Sequence, residues 1–191
     1  MKMKSIFLKN LEEHQSTFKK LSSLDAQIEK AIKLISSSLE CDRKLMVCGN
    51  GGSAADSQHI AAEFTGRFIK DRKALPSIAL TTDTSAITSI ANDYSFNEIF
   101  SRQIAGLGRK GDCLLAISTS GNSANVINAV QVAKSLGINT IGMLGRDGGA
   151  LLDLCDVKIL VESESTARIQ EAHILIAHSI CGGVEFRMGL A

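Results

Sequence analysis

The chain has 191 residues, 45% of them hydrophobic and only 4% aromatic, enough for one well-buried domain with an aliphatic core. Its net charge of +1, with Lys and Arg scattered, excludes the basic footprint of a nucleic-acid binder. A single proline argues against disordered linkers, and no apolar run reaches membrane-spanning length.

The segment Met1–His14 is interrupted by Lys2, Lys4, Lys9, Glu12 and Glu13, so it does not read as a signal peptide. Phe7, Leu11, His14, Phe18 and Leu21 then form one helical stripe, and Ile28, Ile32, Ile35 and Leu39 form a second. Residues 1–40 are expected to be a helical arm used in oligomer packing. A neighbouring subunit is the expected partner of its stripes, because crossover helices already cover the faces of a parallel sheet.

Residues 41–191 read as one domain. Strand-length apolar runs recur at Leu45–Cys48, Ser77–Leu80, Cys113–Ile117, Asn139–Leu144 and Val157–Val161. Between and after them lie helical stretches: Ser53–Phe68, Thr84–Leu107, Asn122–Leu136, Gly149–Leu154 and about Thr166–Arg187. This alternation predicts an α/β fold with a doubly wound five-stranded parallel sheet and right-handed crossovers. Ligands of such sheets bind at the carboxyl ends of the strands. The cysteines, Cys41, Cys48, Cys113, Cys155 and Cys181, are odd in number and contain no C-x-x-C pair. They read as reduced thiols of a cytoplasmic protein.

Two loops fall at those carboxyl ends. Gly49-Asn50-Gly51-Gly52-Ser53 opens one helix, with Ser53 as a candidate cap. Ser118-Thr119-Ser120-Gly121-Asn122-Ser123 opens another, with more hydroxyls than capping requires. Backbone N–H groups and hydroxyls at a helix start suit a phosphate. Gly49-x-Gly51-x-x-Ala54 also matches a dinucleotide fingerprint, but Asp83 comes more than thirty residues later, where about twenty is usual. A sugar phosphate is therefore preferred over a nucleotide cofactor.

His59 and Glu63 share a face of the helix after the first loop, and either could ligate a metal or serve as a base. On the last helix, Gln170 and His178 stand roughly 12 Å apart along the axis. One metal site could take both only at full stretch; otherwise they come from different subunits, or one binds substrate. His173 falls off that face and reads as structural or solvated. A carboxylate and an imidazole beside a sugar phosphate suggest aldose–ketose isomerisation through an enediol, and a divalent metal could polarise the carbonyl.

The two loops together with Arg168-Ile169-Gln170-Glu171-Ala172-His173 resemble the sugar isomerase (SIS) domain family. The resemblance covers essentially the whole chain. It is strongest with the branch that acts on a seven-carbon ketose phosphate, and it implies a flavodoxin-like sheet and a homotetramer with sites between subunits. The implied reaction converts D-sedoheptulose 7-phosphate to D-glycero-D-manno-heptose 7-phosphate, toward the ADP-heptose of lipopolysaccharide. By the same resemblance, Asn50, Gly51, Gly52, Ser53, Glu63, Asn92, Asp93, Ser118, Thr119, Ser120, Ser123 and Gln170 would contact substrate, with Arg67 as a further contact. Glu63 and His178 would be the acid–base pair, and His59, Glu63, Gln170 and His178 would hold one divalent metal, usually zinc. Family members that bind a replication initiator lack this Glu and His. Sugar-phosphate-sensing regulators usually add a DNA-binding domain, and the isomerase half of glucosamine 6-phosphate synthase belongs to a much longer chain.

Overall fold

The computed structural model describes residues 5–191; the first four residues of the expected arm, also part of the segment tested as a leader, lie outside them. Strands β1 (Leu45–Gly49), β2 (Ser77–Ala79), β3 (Cys113–Ser118), β4 (Asn139–Gly145) and β5 (Val157–Val161) form one sheet. All neighbours pair in parallel, in the order β2-β1-β3-β4-β5. The chain winds one way from β1 to β2 and the other way from β3 to β5. The reversal therefore lies between β1 and β3, where doubly wound sheets open a crevice at their carboxyl edge.

Strand periodicity divides the core into two layers. Leu45, Val47, Cys113, Leu115, Ile117, Ile141 and Met143 face helices α2 (Asp25–Glu40), α3 (Gly52–Thr65) and α8 (Thr166–Arg187). Met46, Cys48, Leu114, Ala116 and Leu144 face α5 (Ser101–Leu107) and α6 (Ala124–Ser135). Strand β2 is short and half-exposed, as an edge strand should be.

Two expectations require correction. The stretch Thr84–Leu107 is not one helix: α4 (Thr84–Asp93) stops, a 3-10 turn spans Phe96–Glu98, and α5 follows. Tyr94 and Ser95 leave helical dihedrals between them, and Gly108 ends α5 in extended conformation. The second apolar stripe does not need a neighbouring subunit: Ile32, Ile35 and Leu39 are buried in this chain's own core and Ile28 packs half-buried against it, alongside Ala177, Ile180 and Val184 of α8. A 22-residue α8 leaves room on that face for a third helix beside α3. The first stripe, on α1 (Ile6–Phe18), stays open at its start, where Phe7 is 69% exposed. Residues Leu151–Leu154 form the short α7.

Candidate active site

The glycine loop follows β1 and the hydroxyl loop follows β3, neighbours at the point of reversal, with Gly49 level with Ile117. Gly51 turns the chain into α3 with φ +56°, in the left-handed region. A side chain on Gly52 would press on the Gln170 amide, whose Cδ would lie 2.9 Å from the added carbon. Ser53, expected as the cap, sits inside the first turn and is buried, and α3 begins without a side-chain cap. Helix α6 also begins without one, because Ser123 turns its hydroxyl to Ser118 at 3.1 Å. Both helix starts can therefore offer first-turn N–H groups to an anion.

Ser118 also accepts a hydrogen bond from the Gly121 N–H at 3.1 Å. Gly121 has φ +66°, and a side chain there would run into the Gly148 carbonyl. Asn122 donates to the Ser120 carbonyl at 3.1 Å and accepts from the Ala150 N–H at 3.0 Å, bracing the loop against the chain before α7. Thr119 and Ser120 remain half-exposed. The two loops are joined by a reciprocal amide pair, Asn50 Nδ2 to Asn125 Oδ1 at 2.8 Å and Asn125 Nδ2 to Asn50 Oδ1 at 2.9 Å. Sequence reasoning missed Asn125; its signal is an amide in the first turn of the helix after the second loop.

Further along α3, His59 Nε2 lies 3.1 Å from Glu63 Oε1, and His178 Nε2 of α8 lies 3.2 Å from His59 Nε2. The donor atoms of His59, Glu63 and His178 all fall within 4.8 Å of one another. His59 is exposed and the other two are half-buried, so the cluster is open to a ligand. Two facing imidazole nitrogens require either that one donates its N–H or that a cation lies between them. Two imidazoles and a carboxylate suit a divalent transition metal, so this donor set fits the expected group. Asp56, one turn before His59, has a buried Oδ2 with no partner; burial raises its pKa, partly offset by His59. The Phe68 ring stacks on His178, with centroids 5.5 Å apart and planes at 27°.

The structure brings together only part of the expected set. Asn92 and Asp93 are on the exposed face of α4, bonded to each other at 2.9 Å. Arg67 is exposed and donates to the Ile69 carbonyl at 2.9 Å. Asp83 caps α4 by accepting from the Ala86 N–H, which accounts for it without a ribose. Gln170 lies against the first loop. His173 is fully buried under the sheet, with Nε2 3.1 Å from the Leu144 carbonyl. Burial pushes its pKa down to about 4, so it stays neutral and donates. Cys48, Cys113, Cys155 and Cys181 are buried free thiols with pKa values pushed up by burial, which leaves them unreactive. Among the described residues, no helix is long and apolar enough to cross a membrane.

The SIS domain family model matches residues 7–145. The chain is 53% identical to the phosphoheptose isomerase of Aliarcobacter butzleri, over 94% of this chain and 95% of that one. It is also similar to the solved phosphoheptose isomerase of Neisseria gonorrhoeae, at 45% identity and a TM-score of 0.85, covering 94% of this chain and 95% of that one. The solved phosphoheptose isomerase of Francisella tularensis superimposes equally well, with a TM-score of 0.85 at 38% identity and 94% of each chain covered.

Proposed function

This chain belongs to the SIS domain family, and from that premise we propose the following reading: it is a sugar-phosphate isomerase that interconverts D-sedoheptulose 7-phosphate and D-glycero-D-manno-heptose 7-phosphate. The observation that carries the chemistry is the meeting of Glu63 and His178 within 4.8 Å, on α3 and α8, near whose starts lie the glycine loop and Gln170.

The phosphate is held by the Asn50–Ser53 turn and by Ser118, Thr119, Ser120 and Ser123, and Gln170 contacts the sugar where its amide meets Gly52. One of Glu63 and His178 removes a proton from C1 of the ketose, giving the 1,2-enediolate. The proton moves from the C1 hydroxyl to the oxygen on C2, and C2 is reprotonated to give the aldose. A base and an acid within one hydrogen-bonded cluster can do both without a long-range relay. His59, Glu63 and His178 would hold a zinc ion, which would polarise the carbonyl; Gln170, the expected fourth donor, has its amide at Gly52 in this chain and would have to reach across to join them. If they do, His59→Ala loses its zinc on dialysis; full zinc content in that variant would refute the ligand set.

Asn92, Asp93 and Arg67, exposed in one chain, are assigned to the substrate as side chains completed by a second copy. The open apolar start of α1, with Ile6 81% and Phe7 69% exposed, supports α1 as the part of the expected 1–40 arm that packs a homotetramer, since α2 is buried in this chain's own core. The same reading places the enzyme in the cytoplasm, on the route to ADP-heptose of lipopolysaccharide. The rival, a non-catalytic protein that binds a replication initiator, has no use for the Glu63–His178 pair. Purified protein supplied with sedoheptulose 7-phosphate is expected to form the aldose. No product, with binding to another protein instead, would favour the rival.

A further inference from the structure

We propose that the buried Arg72–Glu185 pair is a positioning device that sets the Glu63 to His178 geometry from the side of the site away from substrate, an inference that rests on the isomerase reading. The two residues are 113 apart in sequence, and neither belongs to the loops or the triad. Their side chains are 3% and 1% exposed, and Arg72 Nε donates to Glu185 Oε1 at 2.7 Å.

The rest of the Arg72 guanidinium grips the end of α3. One terminal nitrogen donates to the Glu63 carbonyl at 2.7 Å. The other donates to the carbonyls of Phe64 at 2.8 Å, Gly66 at 2.9 Å and Lys73 at 3.0 Å. The carbonyls at a helix end have no partner within the helix, and a cation there is favoured by the helix dipole. Arg72 thus caps the turn of α3 that carries Glu63, and it touches the Glu63 backbone itself.

Glu185 grips the following segment. It accepts the Phe68 N–H at 3.0 Å and the Ile69 N–H at 3.4 Å as well as Arg72. Those bonds hold its carboxyl below the usual range despite burial, so it stays charged. Glu185 lies seven residues after His178, two turns along α8 on the same face. Fixing Phe68 at Glu185 is therefore what lays the Phe68 ring on the His178 imidazole. A single ion pair holds the backbone of one proton-handling residue and, through Phe68, the ring plane of the other. A lock needed for stability alone would require neither the bond to the Glu63 carbonyl nor the stacked ring.

The test uses the full-length enzyme well below its melting temperature, with Glu185→Gln, Arg72→Lys, Phe68→Leu and Phe68→Tyr. In Glu185→Gln and Arg72→Lys, kcat is expected to fall by about tenfold or more with KM within about twofold, because the phosphate loops are untouched. Cross-relaxation between the Phe68 and His178 ring protons should weaken in parallel. Phe68→Leu should lower kcat by a smaller factor, whereas Phe68→Tyr keeps the aromatic face and should retain it. If the buried-pair variants do not fold, the two variants of half-exposed Phe68 carry the test. Lowered thermal stability with unchanged kcat and unchanged ring-to-ring signals would make the pair a stabilising lock only and would overturn the proposal. Absence of turnover in the unmodified protein would sink the isomerase reading alone, since the ring signals report this geometry without substrate.

Discussion

The two ends of the sheet use the same chemistry to opposite effect. At the amino edge, Asp112 is buried and accepts from the Lys44 N–H at 3.0 Å, the Arg109 N–H at 2.8 Å and the Lys44 ammonium. Asp156 accepts from the Thr140 N–H at 2.8 Å and hydroxyl at 2.7 Å, and those bonds, outweighing burial, hold its pKa below the usual range. At the carboxyl edge, the starts of α3 and α6 have no side-chain caps, and farther down α3 Glu63 meets His59 at 3.1 Å in a cluster open to a ligand. The amino edge consumes its own donors and acceptors and becomes rigid. The carboxyl edge leaves them open, and a ligand can complete them.

That contrast predicts which changes cost activity and which cost stability. Glu63→Gln keeps the shape and removes the base, so turnover should fall by about two to four orders of magnitude with little change in melting temperature. Near-normal turnover would remove Glu63 from the chemistry. Asp112→Ala at the opposite edge should do the reverse, lowering unfolding free energy in urea by about 3 kcal/mol while leaving kcat of the folded fraction unchanged.

Acid sharpens the comparison through His173, which belongs to neither edge. Its pKa in the folded protein is about 4, below the ordinary 6.5, so the unfolded chain takes up the proton first. Its contribution is complete above pH 6.5 and is lost as pH falls toward 4, amounting to about 3 kcal/mol. Glu185 and Asp156, with lowered values, hold their contributions until lower pH. Urea midpoints should therefore fall between pH 6.5 and 5 in the native protein and much less in His173→Gln; equal slopes would exclude His173 as the cause. The smallest effect expected is in Asn125→Ala. Breaking the amide pair that joins the two loops should cost about 1–2 kcal/mol and raise KM more than it lowers kcat. An unchanged KM would show that the pair does not shape the phosphate cradle.

The same contrast explains what could be read from sequence. Strands β1 and β3 were legible because every residue in them is buried, which turns them into unbroken apolar runs. The two loops were legible because glycines and hydroxyls cluster within a few residues. The break after Asp93 was not, since Tyr94 and Ser95 carry no glycine or proline to mark it. Ile32 and Ile35 gave the right helix but the wrong partner, because a periodic stripe says which face is buried and not against what. Arg72 and Glu185 belong to no sequence motif, and only the fold brings them together across 113 residues. The convergence of His59 and Glu63 with His178 came from the family resemblance and not from spacing, since helical periodicity predicts partners within one helix and not between α3 and α8.

The central claim is that the Glu63–His178 cluster moves a carbon-bound proton of a ketose phosphate. It is tested most directly by proton NMR of sedoheptulose 7-phosphate in deuterated water. The native enzyme should exchange solvent deuterium into the carbons that gain and lose the proton, and Glu63→Gln should slow that exchange by about two orders of magnitude or more. No exchange with the native enzyme, or exchange at full rate in Glu63→Gln, would contradict the account.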